Sequence, residues 1–499
     1  MPRTAGGRFG VVDIGSNSVR LVVYDALCRA PFVQLNEKVI CRLGAGLEAR
    51  GRLDPAAVGS ALAALRRFRI LLDGLGVAAV DAFATAAVRR ASDRGHFLSL
   101  AEHALGRPVA VLSGEEEARA SALGVAGGFH AARGLVADLG GGSIEFAAVD
   151  GLSVRPLGSL PLGTLGMRDA LARGRRAAEA AVSRAFAGCA ETLRAMRGER
   201  LHLVGGGWRA IARIHLGLAR SPLQLVHGLT LDAGTLLALA GELRTVRPER
   251  LVRLPGLARR RVETLPAAAF LLETVIRRLE PEAVLFSATG LREGRLFARL
   301  EAGEMARDPL LEGARRLAAA DARDAAFAAP LTAWLAPLLA DVPDHLRRLH
   351  EAAVLLSDTG WREHPDSRAR ESFGRLLRFP FLGVDHPGRV FVAHAVFLRY
   401  GGNAKDPAVR PVLERLDPAA RRAATALGTA MHLAYRLAGG VGAILARSRL
   451  RREEGELVLE APGELLPPDP SVLGGRLKRL AKAVGAGGYR LEAGRERRR

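Results

Sequence analysis

The stretch VADLGGGSIEF (136–146) runs apolar up to Asp138, passes through Gly140, Gly141 and Gly142, and resumes with Ser143, Ile144 and Glu145. Glycine lets the backbone bend sharply and lets a ligand come close to the amides. Consecutive N–H groups turned into one hollow form an anion nest. The pattern predicts strand, tight turn, strand, with phosphate held by turn amides beside carboxylates. A Gly-rich turn with no ligand has the same local pattern, so the rest of the chain must discriminate.

The stretch has an echo. VVDIGSNS (11–18) and VADLGGGS (136–143) share the order apolar, Asp, apolar, Gly, any, any, Ser, and Asp138 follows Asp13 by 125 residues. Apolar stretches lead out of both turns, RLVVYDA after the first and IEFAAVD after the second, as expected of hairpins. Two related hairpins at domain-scale spacing predict duplicated α/β halves facing one another across a cleft. Helical periodicity at 56–76, strand patterns at 77–85 and 108–113, a long amphipathic stretch at 168–198 and a strand at 201–207 continue the alternation. That alternation predicts α/β architecture to about residue 300. Past EAGEMARDP (301–309) strands become scarce and Ala/Leu/Arg helices dominate, with a small hairpin or sheet expected near ELVLEAPGEL (456–465).

The 73 Lys+Arg against 52 Asp+Glu give a net charge of +21 and a pI near 11.2 over 499 residues. Such a surplus draws polyanions: nucleic acid, anionic membrane or polyphosphate. Compositional drift in an Ala-, Arg- and Gly-rich chain would give the same total. There is no RNA-binding aromatic signature, so no nucleic-acid partner is inferred. No run of eighteen uncharged apolar residues predicts a membrane span, and MPRTAGGRFG lacks a secretory apolar core. Cys28, Cys41 and Cys189 are few and not at metal-ligand spacing, which fits a reducing, cytoplasmic setting. The tail RERRR (495–499) reads as a solvated, frayed end.

Three further stretches carry chemistry. In VLSGEEEARASALG (111–124), Ser113 and Glu116 have capping-box spacing; that leaves Glu117 free to project into a cleft, unless the three glutamates only complement the helix dipole. In FATAAVRRAS (83–92), Thr85 reads as an N-cap, which puts Arg89 and Arg90 in the first turn or just beyond it, where an anionic ligand would offset their cost. Arg20, leaving the first turn, is a similar candidate. Either could equally be a solvated surface arginine. LVGGGWRAIARIH (203–215) is a third strand–glycine turn–helix unit. It lacks G-x-G-x-x-G, and no G-x-x-x-x-G-K-[ST] loop occurs, so dinucleotide-binding and P-loop readings are poor.

In this order the motifs VVDIGSNSVRLVV (11–23), ATAAVRRA (84–91), LSGEEEARA (112–120), ADLGGGSIEF (137–146), SLPLGTLGM (159–167), GGGWRAIA (205–212) and SATGLREGRLF (287–297) resemble the exopolyphosphatase / guanosine pentaphosphate phosphohydrolase (Ppx/GppA) family. That family belongs to the actin-like, sugar-kinase-like ATPase superfamily. The resemblance implies two RNase H-like α/β domains (1–128 and 129–300) around a cleft, followed by a mainly helical, degenerate HD-like domain (305–499). It implies that Asp13, Asp138 and Glu145 serve Mg²⁺, and that Glu117 is the catalytic base, with Glu145 also close to the attacking water. The phosphate contacts it implies are Gly15, Ser16, Asn17, Ser18 and Arg20, Arg89, Gly140, Gly141, Gly142 and Ser143, then Gly205, Gly206 and Arg261. Where the family usually has Gly-Gly-Thr in the third turn, this chain has Gly207, so a hydroxyl contact is missing or supplied elsewhere.

The implied activity is hydrolysis of the terminal phosphoanhydride of inorganic polyphosphate, and also of guanosine pentaphosphate, by a cytoplasmic homodimer with a place in the stringent response. A non-catalytic sensor of polyphosphate or guanosine tetraphosphate is the alternative, and a small-molecule kinase of the same superfamily a third. Clustered carboxylates at 13, 117, 138 and 145 favour hydrolysis, since binding an anion does not call for them. HEAAVLLSDTGWREHPDSR (350–368) and GVDHPGRVFVAHAVFLRYGG (383–402) resemble the family's HD-related C-terminal region. The His-Asp pair is replaced by Ser357-Asp358, so His350, His364, His386 and His394 are read as structural, and the region as a scaffold extending the polyphosphate path or a dimer contact.

Overall fold

A computed structural model describes residues 7–494 except 189, 340–341, 467–468 and 470; Cys189 and the RERRR tail lie outside them. The chain divides into two compact units, one ending at Pro309 and one beginning at Leu310.

The first unit holds two sheets. One contains β1 (Phe9–Ile14), β2 (Ser18–Tyr24), β3 (Val33–Ile40), β4 (Ala79–Ala84) and β5 (Ala110–Val111) in the order β3-β2-β1-β4-β5. The other contains β6 (Arg133–Leu139), β7 (Ile144–Asp150), β8 (Ser153–Leu160), β9 (Leu201–Val204), β10 (Leu229–Leu231) and β11 (Val284–Phe286) in the order β10-β11-β9-β6-β7-β8. In both, the glycine-turn hairpin is central and antiparallel, a third antiparallel strand follows it, and two parallel strands extend the other side. The order β3-β2-β1-β4-β5 is thus repeated as β8-β7-β6-β9-β11, with β10 added at the edge. This is the RNase H-like arrangement twice over, as the echoed hairpins lead one to expect.

Central strands read as continuous apolar runs because helices cover them. Phe68 and Leu72 of the helix Pro55–Gly74 and Phe97 of Arg94–Leu105 pack with Val12, Ile14, Val19 and Leu21. Trp208 and Ile211 pack with Leu139, Ile144 and Phe146 in the second core. The helix Gly114–Gly128 follows the first sheet in sequence but packs on β7 and β8 of the second and on the helix Leu291–Phe297. Its small residues make that possible: a Cβ on Gly294 would collide with the Ala120 carbonyl, and one on Gly124 with the Gly290 carbonyl.

Two local expectations change. The amphipathic stretch 168–198 is three helices, Thr164–Ala172, Arg175–Ala187 and Ala190–Arg194, the first break falling at Gly174 with φ 114°. The helix after Thr85 is only Ala86–Arg90, so Arg89 and Arg90 lie in its last turn, and Thr85 makes no side-chain cap. Cations at a helix C-terminus suit its dipole, which removes the reason for placing an anion there.

The second unit is mainly helical, with Asp344–Leu355, Arg368–Arg378, His386–Arg399 and Pro418–Ala438 among its helices. The strand signal near 456–465 is real. There β13 (Glu456–Pro462) pairs antiparallel with β12 (Arg449–Glu453) and parallel with β14 (Gly488–Gly494). Among the described residues no helix is long and apolar enough to cross a membrane.

Candidate active site

The two hairpin turns close in the same way. Gly15 N–H donates to the Ser18 carbonyl (3.0 Å) and Gly140 N–H to that of Ser143 (2.9 Å). Residues directly opposite on an antiparallel pair share one face, and the register pairs Asp13 with Arg20 and Asp138 with Glu145. All four line one cleft, together with Gly15–Ser18, Gly140–Ser143, Glu117, Gly205, Gly206 and Arg261. The turns also approach each other: a Cβ on Gly141 would stand 3.1 Å from Ser16 Cβ, and one on Gly142 3.0 Å from Ser16 Oγ. The glycines of 140–142 therefore answer to the facing turn as well as leaving room for a ligand.

The capping box forms as expected. Ser113 N–H donates to Glu116 Oε2 (2.7 Å) and Glu116 N–H to Ser113 Oγ (3.1 Å). This fixes the helix start and turns Glu117, only 5% exposed, into the cleft. Burial raises its carboxyl to about 7, against the lowering effect of Arg89, and Asp138 and Asp13 add to the rise. Arg89 donates Nη1 to Glu117 and to the Leu112 carbonyl. It lines an adjoining hollow with Ser143 and Ser159 rather than the cleft itself.

The other acids are also engaged. Asp13 accepts from Arg292 Nη1 (2.9 Å), Asp138 from Ser121 Oγ, and Glu145 from Ser159 Oγ (3.0 Å). Burial raises the carboxyls of Asp138 and Glu145, and for Glu145 the neighbouring Glu117 and Asp138 raise it further.

The third glycine turn joins β9 to the helix Gly206–Leu218. Gly205 has φ 100°, a left-handed conformation that favours glycine. A Cβ on Gly206 would collide with the Arg261 guanidinium, which lies over it. At Gly207 a side chain would meet Thr164 Cγ2 (3.5 Å), and Thr164 lines the cleft with its hydroxyl toward the Gly140 carbonyl (3.5 Å).

Residue motifs alone passed over Lys38, Arg209 and Arg292, which also line the cleft. Arg209 and Arg292 sit inside GGGWRAIA and SATGLREGRLF, but that they face the cleft depends on the fold and not on the order of the motifs. Arg209 donates to the Ala288 carbonyl (2.7 Å). Burial opposes the charge on Arg292, yet Glu293 and Asp13 hold it on.

With this geometry in hand, the sequence profile of the Ppx/GppA phosphatase family matches residues 6–302. The chain belongs to that family. The Ppx/GppA phosphatases are a phosphohydrolase family. The C-terminal domain of exopolyphosphatases matches residues 310–492. Two solved structures from Aquifex aeolicus are similar. One, of the Ppx/GppA member, is 27% identical with a TM-score of 0.50, covering 58% of this chain and 96% of its own. The other, of the PPX-GPPA enzyme, is 28% identical with a TM-score of 0.50, covering 58% and 98%. An exopolyphosphatase from Cytophaga hutchinsonii, 22% identical with a TM-score of 0.51 over 58% of this chain and 97% of its own, shares the fold.

In the C-terminal unit, Asp358 accepts from Arg323 (2.7 and 2.8 Å) and Arg399 (2.6 Å). Arg399 stands 3.9 Å from the Tyr400 ring centroid and 3.6 Å from that of Tyr435. Two guanidiniums therefore neutralise the aspartate of the altered His-Asp pair. His350 bonds the Leu346 carbonyl (2.9 Å), His394 the Thr425 hydroxyl (3.2 Å), and His364 accepts from Asp366 N–H (3.3 Å). His386 is buried at the start of its helix.

Proposed function

We propose that this protein is an exopolyphosphatase. It hydrolyses the terminal phosphoanhydride of inorganic polyphosphate, with guanosine pentaphosphate as a second substrate carrying the same terminal bond. The observation that carries this is Glu117, buried in a cleft walled by two glycine turns, with its carboxyl brought near neutrality. A general base works best with a pKa near the operating pH.

Turn amides of Gly15–Ser18 and Gly140–Ser143 hold the terminal phosphate, and Arg20 and Arg261 hold the chain behind it. Water attacks the terminal phosphorus, its proton passes to Glu117, and the bridging P–O bond breaks to leave the shortened chain. Arg89 keeps Glu117 oriented, and Glu145 with Ser159 fixes the floor on which the water sits.

Among the described residues no group of three His, Cys, Asp or Glu is close enough to form a metal cage. Asp13, Asp138 and Glu145 are not a preassembled triad, since each is engaged with a different donor. Mg²⁺ is ordinarily bound by one or two carboxylates plus substrate phosphates and water, and Asp13 and Asp138, on the two facing hairpins, suit that mode. When bound, Mg²⁺ would neutralise phosphate charge.

The test is orthophosphate release from long-chain polyphosphate and guanosine pentaphosphate, side by side, by wild type and Glu117→Gln. Release abolished in the variant supports the reading. Ligand binding by wild type without any release would replace it with the sensor.

A further inference from the structure

Only four of the 73 basic residues are lysines, and Lys38 is the single one before Lys405. It lies on β3, directly opposite Arg20 of β2, and lines the cleft. Arg20 beside it, Arg260 and Arg261 from the turn Arg259–Thr264, and Arg292 from the helix Leu291–Phe297 all act on it with like charge. The nearby acids are committed elsewhere: Asp13 to Arg292, Glu37 to Arg67, and Glu263 to Arg42 and Arg168. Among the described residues Lys38 has no hydrogen-bond or ion-pair partner. Its half-buried ammonium is thus uncompensated, in a place where an always-charged arginine could not relieve the crowding.

We propose that Lys38 is the charge-sensing specificity residue of this cleft: it takes up a proton as a polyphosphate chain enters, so that binding strength follows the charge density of the ligand. Burial, then Arg261, Arg20, Arg260 and Arg292, bring the free amine down to about 7. A phosphate chain laid between Arg20 and Arg261 reverses the local field and returns the amine to its ordinary, fully protonated state. Near neutral pH the bound state therefore holds about half a proton more per site than the free protein, rising toward one as the pH increases. A ligand with one or two charges reverses less of that field and gains less. The inference rests on the proposed polyphosphate substrate.

The test uses the full chain carrying Glu117→Gln, which stops turnover and removes the titration of Glu117. Calorimetry of long-chain polyphosphate binding in two buffers of different ionisation enthalpy, at pH 7.5, gives the protons taken up. Adding Lys38→Arg is expected to cut the uptake by at least half and to flatten the loss of affinity between pH 7 and 9. Lys38→Gln serves as the second variant; it is expected to cut the uptake equally and to bind weakly throughout that range. Uptake unchanged by either substitution, with binding retained, overturns the role of Lys38 alone. Absence of polyphosphate binding in every protein, with melting temperatures preserved, overturns the substrate reading and this inference together.

Discussion

Glu117 is held in place by a cap, a salt bridge and burial, and each has a measurable consequence. General-base catalysis contributes about 10²–10⁴-fold, so Glu117→Gln should lower kcat by that order with little change in KM, as read by steady-state phosphate release. The pH profile of kcat/KM should rise through about 7 as Glu117 loses its proton. Arg89 lowers the Glu117 carboxyl, so Arg89→Gln should move that rising limb to higher pH. Stability carries the opposite sign. A carboxyl raised from 4.5 to about 7 by folding stabilises the fold fully below the lower value and loses that contribution as pH climbs through the upper one. The melting temperature of wild type minus that of Glu117→Gln should therefore fall between pH 5 and 8. Much of this site was legible in the residues themselves: Ser113 and Glu116 announced the cap that aims Glu117, and the Asp-x-Gly-x-x-Ser turns announced the hairpins. Arg89 was found by motif but for a wrong local reason, because five residues of helix cannot be told from ten by a capping residue. Lys38 and Arg292 were not legible, since their role depends on cations brought together from β2, the turn Arg259–Thr264 and the helix Leu291–Phe297.

At the scale of elements, the contact between the helices Gly114–Gly128 and Leu291–Phe297 ties the site together. Arg292, Glu293 and Arg295 of the second helix reach Asp13 of β1, Tyr24 of β2 and Asp81 of β4. The helix can sit there only because Gly294 lies against the Ala120 carbonyl. Overpacking costs about 1–3 kcal/mol, so Gly294→Ala should lower the melting temperature by several degrees and weaken activity with it. Gly206→Ala is a contrasting case. There the obstructing group is the movable end of Arg261, so the expected effect is a raised KM with a nearly unchanged melting temperature. The hairpins, the alternating helices and the late small sheet could be read from periodicity. The packing of Gly114–Gly128 on the second sheet could not, because Ala and Gly at that spacing fit either sheet equally well.

At the scale of the molecule, duplication explains the layout of the unit ending at Pro309: two copies of one sheet present equivalent turns, and the residue seven after the motif's Asp is Arg20 in one and Glu145 in the other. In the proposed reading the first copy adds the cation Arg20 for a phosphate chain and the second the carboxylate Glu145, while each keeps its aspartate, Asp13 and Asp138. The net charge of +21 acts beyond the cleft, over distances that salt screens within about 10 Å at 0.1 M. The KM for long-chain polyphosphate should accordingly rise more steeply with salt than the KM for tripolyphosphate, as measured between 50 mM and 500 mM potassium chloride. The most direct test of the central claim is hydrolysis of long-chain polyphosphate in ¹⁸O-labelled water, with wild type and Glu117→Gln compared at equal folded concentration. The expected result is one solvent oxygen in each orthophosphate released by wild type and release nearly lost in the variant. Equal rates from the two proteins, or no orthophosphate from wild type, would contradict it.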